Sequence, residues 1–258
     1  MTSTFTRRLA AAAAVAALAL AAPALAAAPL KPADYAKILA DPSRPEADRK
    51  DDEARKPAEV LGFAQLCPGD TVLEIEVGRG WMTELISRAV GPKGKVITQN
   101  PKPFAYSGPA MAKRHENGGL ANVTDTTTPF DALQPADKSV DRVLWVLGPH
   151  EIYFAPKDSP PLGDQAKTYA EIYRVLKPGG VFIAMDHAAA AGAPSTTGGT
   201  IHRIDPAIVL AAAKTAGFKL DAKSDVLANP ADDRTKMVFD PTIRRHTDQF
   251  LFRFVKPK

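Results

Sequence analysis

Length and composition place this chain among ordinary soluble globular proteins. It has 258 residues, of which 45% are hydrophobic and 24% are charged, enough apolar material for one sizeable core. The 33 basic and 29 acidic residues give a net charge of +4 with no block of lysine or arginine, so nucleic acid is not expected as a partner. A single cysteine, Cys67, excludes an internal disulfide and a zinc site built on several thiolates.

The first 26 residues differ in composition from the rest. Arg7 and Arg8 precede the apolar run LAAAAAVAALALAAPALA, which ends in small residues at Ala26. This arrangement is typical of a secretory signal peptide over residues 1–26, and an uncleaved membrane anchor is the alternative. We therefore expect an exported, periplasmic protein without stable membrane insertion. Because Arg7 and Arg8 are the leader's only charged residues, its removal would leave 31 basic and 29 acidic residues, a net charge of +2.

Strands and helices are predicted to alternate from Thr71 onward, after a polar helical cap over residues 27–70. The predicted order is strand TVLEIE, helix WMTELISRAV, strand KVITQ, a polar helix near residues 109–117, a short strand around ANVTD, strand SVDRVLWVL, helix DQAKTYAEIYRVL ended by KPGG, strand VFIAMDH, helix PAIVLAAAKTAG capped by Asp205, and strands FKLDAKSD and QFLFRFVK. Such alternation predicts an α/β domain over residues 71–258. Its sheet would have seven strands, mostly parallel, with an antiparallel edge and helices on both faces.

The loop after the first predicted strand is a candidate binding loop. Gly78 and Gly80 flank Arg79, whereas Glu76 stands where turns of this type usually have their first glycine. In a doubly wound sheet, ligands bind at the carboxyl ends of the strands, where such a loop presents backbone N–H groups from a helix start. A tight turn that needs glycine only for positive φ is the alternative interpretation.

These residues resemble those of the class I S-adenosylmethionine-dependent methyltransferases. Closer still is the resemblance to an exported branch of predicted methyltransferases, in which the turn reads approximately E-[I/L]-x-P-G-x-G-[W/Y]-x-T-E. The positions that match this branch are Glu74, Gly78, Gly80, Trp81, Thr83 and Glu84. The similarity extends through AEIYRVLKPGGVF to the tail HRIDPAIV and TDQFLFRFVKP, so it covers most of residues 71–258. It implies a Rossmann-like methyltransferase fold.

The resemblance implies S-adenosyl-L-methionine as cofactor. Gly78, Gly80 and Trp81 would then belong to the cofactor-binding turn, and Glu74 would lie near the methionine amino group. Family members usually end the second strand with an acidic residue that accepts hydrogen bonds from the ribose hydroxyls, and this chain has Asn100 there. A neutral acceptor makes a weaker hydrogen bond than a carboxylate, so Asn100 is expected to reduce donor affinity roughly tenfold.

The candidate catalytic residues follow two later strands. His150 lies just past VDRVLWVL, where a base would stand, and the exported branch commonly has a histidine there; a structural histidine is the alternative. Asp186 and His187 end VFIAMDH and are expected to face the same crevice, with the loop AAAAGAPSTTGGT as a lid. A metal site of His187, His202 and a carboxylate lacks the spacing of a known metal motif, so none is predicted.

Two functions from different classes fit the sequence. The first is a methyltransferase acting on a small-molecule acceptor, whose pocket Trp145, Tyr153 and Phe154 could line unless they are core residues. The second is an exported, non-catalytic protein that binds a ligand or partner and retains only the fold. The oligomeric state and the acceptor are not specified by any motif.

Overall fold

The computed structural model describes residues 27–258. The leader predicted over residues 1–26 lies outside the described residues, so export and periplasmic localisation stay predictions. Among the helices of residues 27–258, none is long and apolar enough to cross a membrane.

Seven strands within the described residues form one sheet. They are β1 Thr71–Ile75, β2 Lys95–Asn100, β3 Val123–Thr127, β4 Val140–Val146, β5 Leu176–His187, β6 Lys219–Ser224 and β7 Gln249–Val255. The strand order is β3-β2-β1-β4-β5-β7-β6, and β7 runs antiparallel to both of its neighbours. The predicted seven-stranded, mostly parallel sheet with an antiparallel pair at one edge is therefore confirmed.

Eight α-helices and three short 3-10 helices complete residues 27–258. The α-helices are α1 Pro32–Leu39, α2 Glu46–Arg55, α3 Pro57–Ala64, α4 Trp81–Val90, α5 Gly108–His115, α6 Gln165–Val175, α7 Thr197–Ile201 and α8 Pro206–Thr215, and the 3-10 helices are Lys102–Ser107, Glu116–Gly118 and Pro149–Tyr153. Asp205 caps α8 as predicted, because its carboxylate accepts a hydrogen bond from the backbone N–H of Ala207 at 2.9 Å.

Apolar side chains cover both faces of the sheet. One buried cluster joins α6 and α8 to the sheet through residues such as Tyr169, Ile172 and Val209. A second cluster joins α1, α3 and α4 to the opposite face, with Leu61 and Leu85 fully buried. Helices on both faces thus leave the carboxyl ends of β1, β2, β4 and β5 as the open edge that can carry a site.

The segment KPGG differs from its prediction. It ends α6 as expected, but β5 begins at Leu176, the next residue, instead of at Val181. Gly179 donates its N–H to the carbonyl of Lys256 at 2.8 Å, and Lys256 donates back to Gly180 at 3.0 Å. Proline and glycine therefore stop the helix here and at the same time form the start of an interior strand, a pairing that the sequence pattern does not reveal.

The predicted cap over residues 27–70 contains α1, α2 and α3. Trp81, the first residue of α4, donates its indole N–H to the carbonyl of Asp48 and to the carboxylate of Asp52, both at 3.2 Å. Arg114 on α5 pairs with Asp48 at 2.8 Å, and Arg44 pairs with Asp52 at 2.6 Å. The cap is thus attached to the residues that follow the glycine turn, and the domain boundary at residue 70 stays a prediction.

Candidate active site

The glycine turn keeps its backbone conformation despite Glu76. Three alternate residues have positive φ: Glu76 at 59°, Gly78 at 53° and Gly80 at 79°. Gly78 and Gly80 are the two glycines of the matched motif, and Glu76 stands where turns of this type usually have their first glycine. Since a residue with a side chain enters the left-handed region at a cost of roughly 1–2 kcal/mol, the surrounding structure holds Glu76 in a conformation that glycine would adopt freely.

The Arg79 side chain is exposed. Its carbonyl accepts a hydrogen bond from Nε of Arg114 at 2.7 Å, which fixes the middle of the turn from outside. The positive charge of Arg79 is therefore screened by solvent and does not oppose a cationic ligand in the crevice.

Gly80 and Gly78 allow a matched comparison. We expect Gly80→Ala to destabilise the protein by about 1–3 kcal/mol, because a Cβ there would lie 2.5 Å from Sδ of Met111 and 2.9 Å from Cδ of Arg114. Gly78→Ala carries similar backbone strain, but nothing lies within 4 Å of its Cβ. Thermal unfolding of both variants should show Gly80→Ala as the less stable, and equal melting temperatures would contradict this packing argument.

Glu74 is buried next to the carboxyl end of β1. Its side chain belongs to the face of the sheet that α4 covers, close to Thr83. Burial raises the pKa of Glu74 to about 8, which the nearby Thr83 hydroxyl and Arg114 guanidinium only partly offset. Within residues 27–258 its Oε2 atom has no hydrogen-bond partner.

Asn100 ends β2 with one unsatisfied acceptor. Ser107 donates its hydroxyl to the carbonyl of Phe104 at 2.8 Å, so its oxygen must accept from Nδ2 of Asn100 at 2.9 Å. This network fixes the orientation of the amide. The Oδ1 atom of Asn100 is buried and has no partner among the described residues. A buried acceptor of this kind is suited to a hydroxyl donor from a ligand.

The Glu76 side chain leans towards β4. Its Oε2 atom accepts a hydrogen bond of 3.4 Å from the indole N–H of Trp145, whereas Asn100 lies on β2 at the other side of β1. Burial raises the pKa of Glu76 well above its usual value, and the carboxylate of Glu151 adds to this shift. Glu76 therefore belongs to the β4 side of the crevice.

His150 and Asp186 form a buried pair, as their predicted common location requires. Asp186, at 0% exposure, accepts from the backbone N–H of His150 at 2.7 Å and from its Nδ1 at 2.8 Å. Burial alone would lower the pKa of His150, but the carboxylates of Asp186 and Glu151 outweigh it and raise the pKa to about 10. A protonated imidazole cannot accept a further proton, so His150 could act as a base only after losing the proton that it holds. The general-base role of His150 stays a prediction.

Two further side chains converge on His150. Its Nε2 lies 3.2 Å from Oε1 of Glu151 and 3.2 Å from Nδ1 of His202, and His202 Nδ1 lies 3.4 Å from the same Glu151 oxygen. Burial raises the pKa of Glu151, but the two histidines outweigh this and lower it to about 2. Sequence reasoning did not single out Glu151, although it follows His150 directly; only the 3-10 helix Pro149–Tyr153 turns both side chains to one point.

His187 lies beside this cluster rather than in it. Its Nδ1 is 2.7 Å from the hydroxyl oxygen of Thr247, and its ring centre is 6.3 Å from that of His150. Burial, followed by the charge of His150, lowers the pKa of His187 well below its usual value. The metal site considered from the sequence consists of His187, His202 and a carboxylate. In the structure, the histidine next to His202 and a carboxylate is His150, not His187.

The predicted lid loop packs against the site through α7. A Cβ at Gly198 would lie 2.5 Å from the carbonyl oxygen of His150, and a Cβ at Gly199 would lie 2.5 Å from that of Tyr153. Only glycine allows this backbone approach. His202, which follows α7, has a φ of 54° and is thereby turned towards His150.

Cavities open at several places around the sheet. A cavity of about 1130 Å³ opens around Gly94 and Lys95, at the amino end of β2 and far from the residues described above. A smaller cavity of about 140 Å³ lies at the carboxyl ends, lined by His187, Arg55 and Arg244 among others. A third cavity, of about 470 Å³, is lined by Ala188 and by residues at the end of β6 and the start of β7. Of these cavities, the one lined by His187 lies beside the predicted catalytic residues at the carboxyl ends of the strands.

Known proteins give matches of two kinds, although no protein-family model matches the chain. Over 132 residues the chain is 30% identical to the ubiquinone/menaquinone biosynthesis C-methyltransferase UbiE of Hydrogenovibrio crunogenus, covering 49% of this chain and 46% of the relative. Over 121 residues it is 31% identical to the arsenite methyltransferase of Halobacterium salinarum, covering 46% of this chain and 27% of the relative. The matches thus span less than half the length of either relative.

The whole fold has counterparts among solved structures. A SAM-dependent methyltransferase from Aquifex aeolicus superposes with a TM-score of 0.57 at 22% identity, covering 88% of this chain and 99% of that one. The relatives named here are enzymes, so they give no support to the alternative of a non-catalytic binding protein, and membership of the exported branch stays a prediction. Strand order, reversed β7 and these likenesses together show that the chain has the fold of the class I S-adenosylmethionine-dependent methyltransferases.

Proposed function

We propose that this protein binds S-adenosyl-L-methionine and transfers its methyl group to a small-molecule acceptor. The proposal rests on Oδ1 of Asn100, at the end of β2. This atom is buried and has no hydrogen-bond partner among the described residues. It stands beside a turn whose residues Glu76, Gly78 and Gly80 all have positive φ. Buried acceptors are normally satisfied in a working protein, so a ligand hydroxyl supplies the missing partner.

The chain offers a fitting group for each part of the donor. The main-chain N–H groups of residues 77–79 would face the donor, since those of Glu76 and Gly80 donate to the carbonyls of Gln99 and Val77. Asn100 would accept from the ribose hydroxyls of the donor. Glu74, whose Oε2 also has no partner within residues 27–258, would attract the methionine amino group. When bound, the donor supplies an electrophilic methyl group on a sulfonium.

The β4 and β5 side of the crevice would receive the acceptor. Methyl transfer is an in-line displacement that depends mainly on positioning, so residues that orient the acceptor matter most. The cavity beside His187 carries the guanidinium groups of Arg55, Arg244 and Arg245. Arg55 and Arg245 both pair with Asp51, so one carboxylate offsets part of this charge. The remaining net positive charge favours an acceptor that bears an anionic group.

Calorimetric titration with S-adenosylmethionine and with its demethylated product tests the proposal. We expect both to bind with one-to-one stoichiometry. Asn100→Asp should bind the donor about tenfold more tightly, because a charged acceptor makes the stronger hydrogen bond, and Asn100→Ala should bind it more weakly.

Gln65→Glu serves as the matched control for charge, since it adds the same negative charge at an exposed residue before the amino end of β1. Its affinity for the donor should equal that of the wild type. Absence of binding at millimolar donor, or equal affinities for Asn100→Asp and Asn100→Ala, would overturn the assignment.

A further inference from the structure

Three potential metal-binding atoms meet at one point between the 3-10 helix after β4 and the residue after α7. They are Nε2 of His150, Oε1 of Glu151 and Nδ1 of His202, separated from one another by 3.2, 3.2 and 3.4 Å. Two of the three side chains are buried and the third is nearly so. We propose that His150, Glu151 and His202 form a binding site for a divalent transition-metal ion, with Zn²⁺ as the best-fitting candidate.

The separations suit a metal of this class. An ion placed about 2.1 Å from each atom, the usual zinc distance to histidine nitrogen and carboxylate oxygen, would subtend angles of about 100–110° between ligand pairs. Those angles are tetrahedral. Two imidazole nitrogens and one carboxylate oxygen also form a ligand set that zinc takes at sites where a fourth position is open.

The surrounding residues hold the ligands in the correct tautomer and orientation. Nδ1 of His150 donates to the fully buried Asp186, so a metal that displaces the proton from Nε2 would meet its lone pair on the side of Glu151 and His202. The ring of His202 lies between those of Phe154 and Phe239, with centre separations of 5.3 and 5.1 Å. Gly198 lets α7 approach the backbone of His150 closely, which brings His202 into reach.

Charge in the neighbourhood favours a cation. Glu151 and Asp186 bring two carboxyl groups into contact with the two-histidine cluster. The second oxygen of Glu151 is buried and has no hydrogen-bond partner among residues 27–258. Its first oxygen contacts both histidines, so a buried carboxylate with one unsatisfied oxygen lies next to the two imidazoles, which is an independent sign of a missing ligand.

The alternative is a hydrogen-bonded cluster without metal, in which a protonated histidine donates to the other two groups. The two arrangements predict different behaviour with metal. The site uses none of the residues assigned to donor binding, namely Glu74, Gly78, Gly80 and Asn100, so its test can fail or succeed independently of the S-adenosylmethionine titration.

Titration of chelator-treated protein with Zn²⁺ tests the site. One equivalent should bind, and Co²⁺ in its place should give the visible d–d absorption of a tetrahedral site. His202→Asn and Glu151→Gln should each weaken Zn²⁺ binding more than about 100-fold, beyond the effect of removing an outer-shell partner such as Asp186. Asparagine is chosen at position 202 because it tolerates the φ of 54° found there.

His246→Asn is the matched control, because His246 is exposed and lies away from the cluster. It should bind Zn²⁺ as the wild type does. Unfolding of each variant in chelator shows whether it is folded, and Asp186→Asn provides a second route, with an expected loss of about 10–100-fold. Failure of the wild type to bind one equivalent, or unchanged affinity in His202→Asn and Glu151→Gln, would overturn the proposal.

Discussion

Replacing Arg203 with alanine is expected to lower the free energy of unfolding by about 3–5 kcal/mol. Arg203 and Asp232 form a bidentate pair at 2.8 and 3.1 Å, and both side chains are 0% exposed. Truncating the arginine would leave the charge of Asp232 buried without its partner, which costs far more than the loss of an exposed ion pair. The same guanidinium also donates to the buried carbonyl of Ala188 and to the carbonyl of Lys236, so both lose their donor as well.

The position of Arg203 gives this substitution a second consequence. It follows His202 directly, and its contacts join the residue after β5 to the connection between β6 and β7. Loss of the pair should therefore loosen His202 together with the fold. We expect Arg203→Ala to bind Zn²⁺ less tightly than the wild type even at temperatures where it is folded.

Urea unfolding followed by circular dichroism measures the effect. Arg234→Ala is the matched control: Arg234 pairs with Asp248 at 2.8 Å in the same connection, but its side chain is 39% exposed. Solvent screens that pair, so its loss should cost less than about 1 kcal/mol. A cost for Arg203→Ala as small as that of Arg234→Ala would show that the buried pair contributes little.

Local patterns predicted most of the elements. Helix α4 occupies the predicted residues 81–90, and β7 lies within one residue of its predicted end at 256. Both have strong periodicity and clear punctuation, the features on which sequence prediction depends. The start of β5 was missed, because KPGG has the composition of a turn and its pairing with Lys256 depends on chain that lies 76 residues later.

The site was predictable only in part. Strand ends identify His150, Asp186 and His187 as neighbours, because the carboxyl ends of adjacent parallel strands meet at one edge. Which side chains touch is decided by φ values and by packing between distant segments. His202 reaches His150 from 52 residues away in sequence through a left-handed residue, and no spacing rule predicts that approach.

Glu76 departs from the glycine motif in residue type but keeps the backbone conformation of the turn. A missing glycine suggests a lost binding turn, yet Glu76 has the positive φ that the glycine would have had. The turn needs a residue with positive φ at position 76, and glycine is only the residue that usually supplies it. The replacement of glycine by Glu76 therefore leaves the shape of the turn intact.

Glu74 is expected to make stability fall as pH rises. Burial raises its pKa from 4.5 to about 8 in the folded protein. Between those values the folded state keeps a proton that the unfolded state has released, so the favourable contribution is complete below about pH 4.5 and is lost as pH passes through 8. The full difference corresponds to an upper limit on the order of 5 kcal/mol, since one pKa unit is worth about 1.4 kcal/mol.

Glu74→Gln removes this titration, because the amide is neutral at every pH. The variant should match the wild type at pH 5 and exceed it in free energy of unfolding at pH 9, with Glu59→Gln, an exposed glutamate, as the control whose difference from the wild type stays flat. A cationic donor amino group at Glu74 would favour its ionised form, so donor affinity should rise above about pH 6 in the wild type only, until the donor amino group itself loses its proton at about pH 8. If the free energy of unfolding changed with pH in the same way in the wild type and in Glu74→Gln, Glu74 would already be ionised in the folded protein. An ionised Glu74 would attract the donor equally at low and high pH, and donor affinity would not rise.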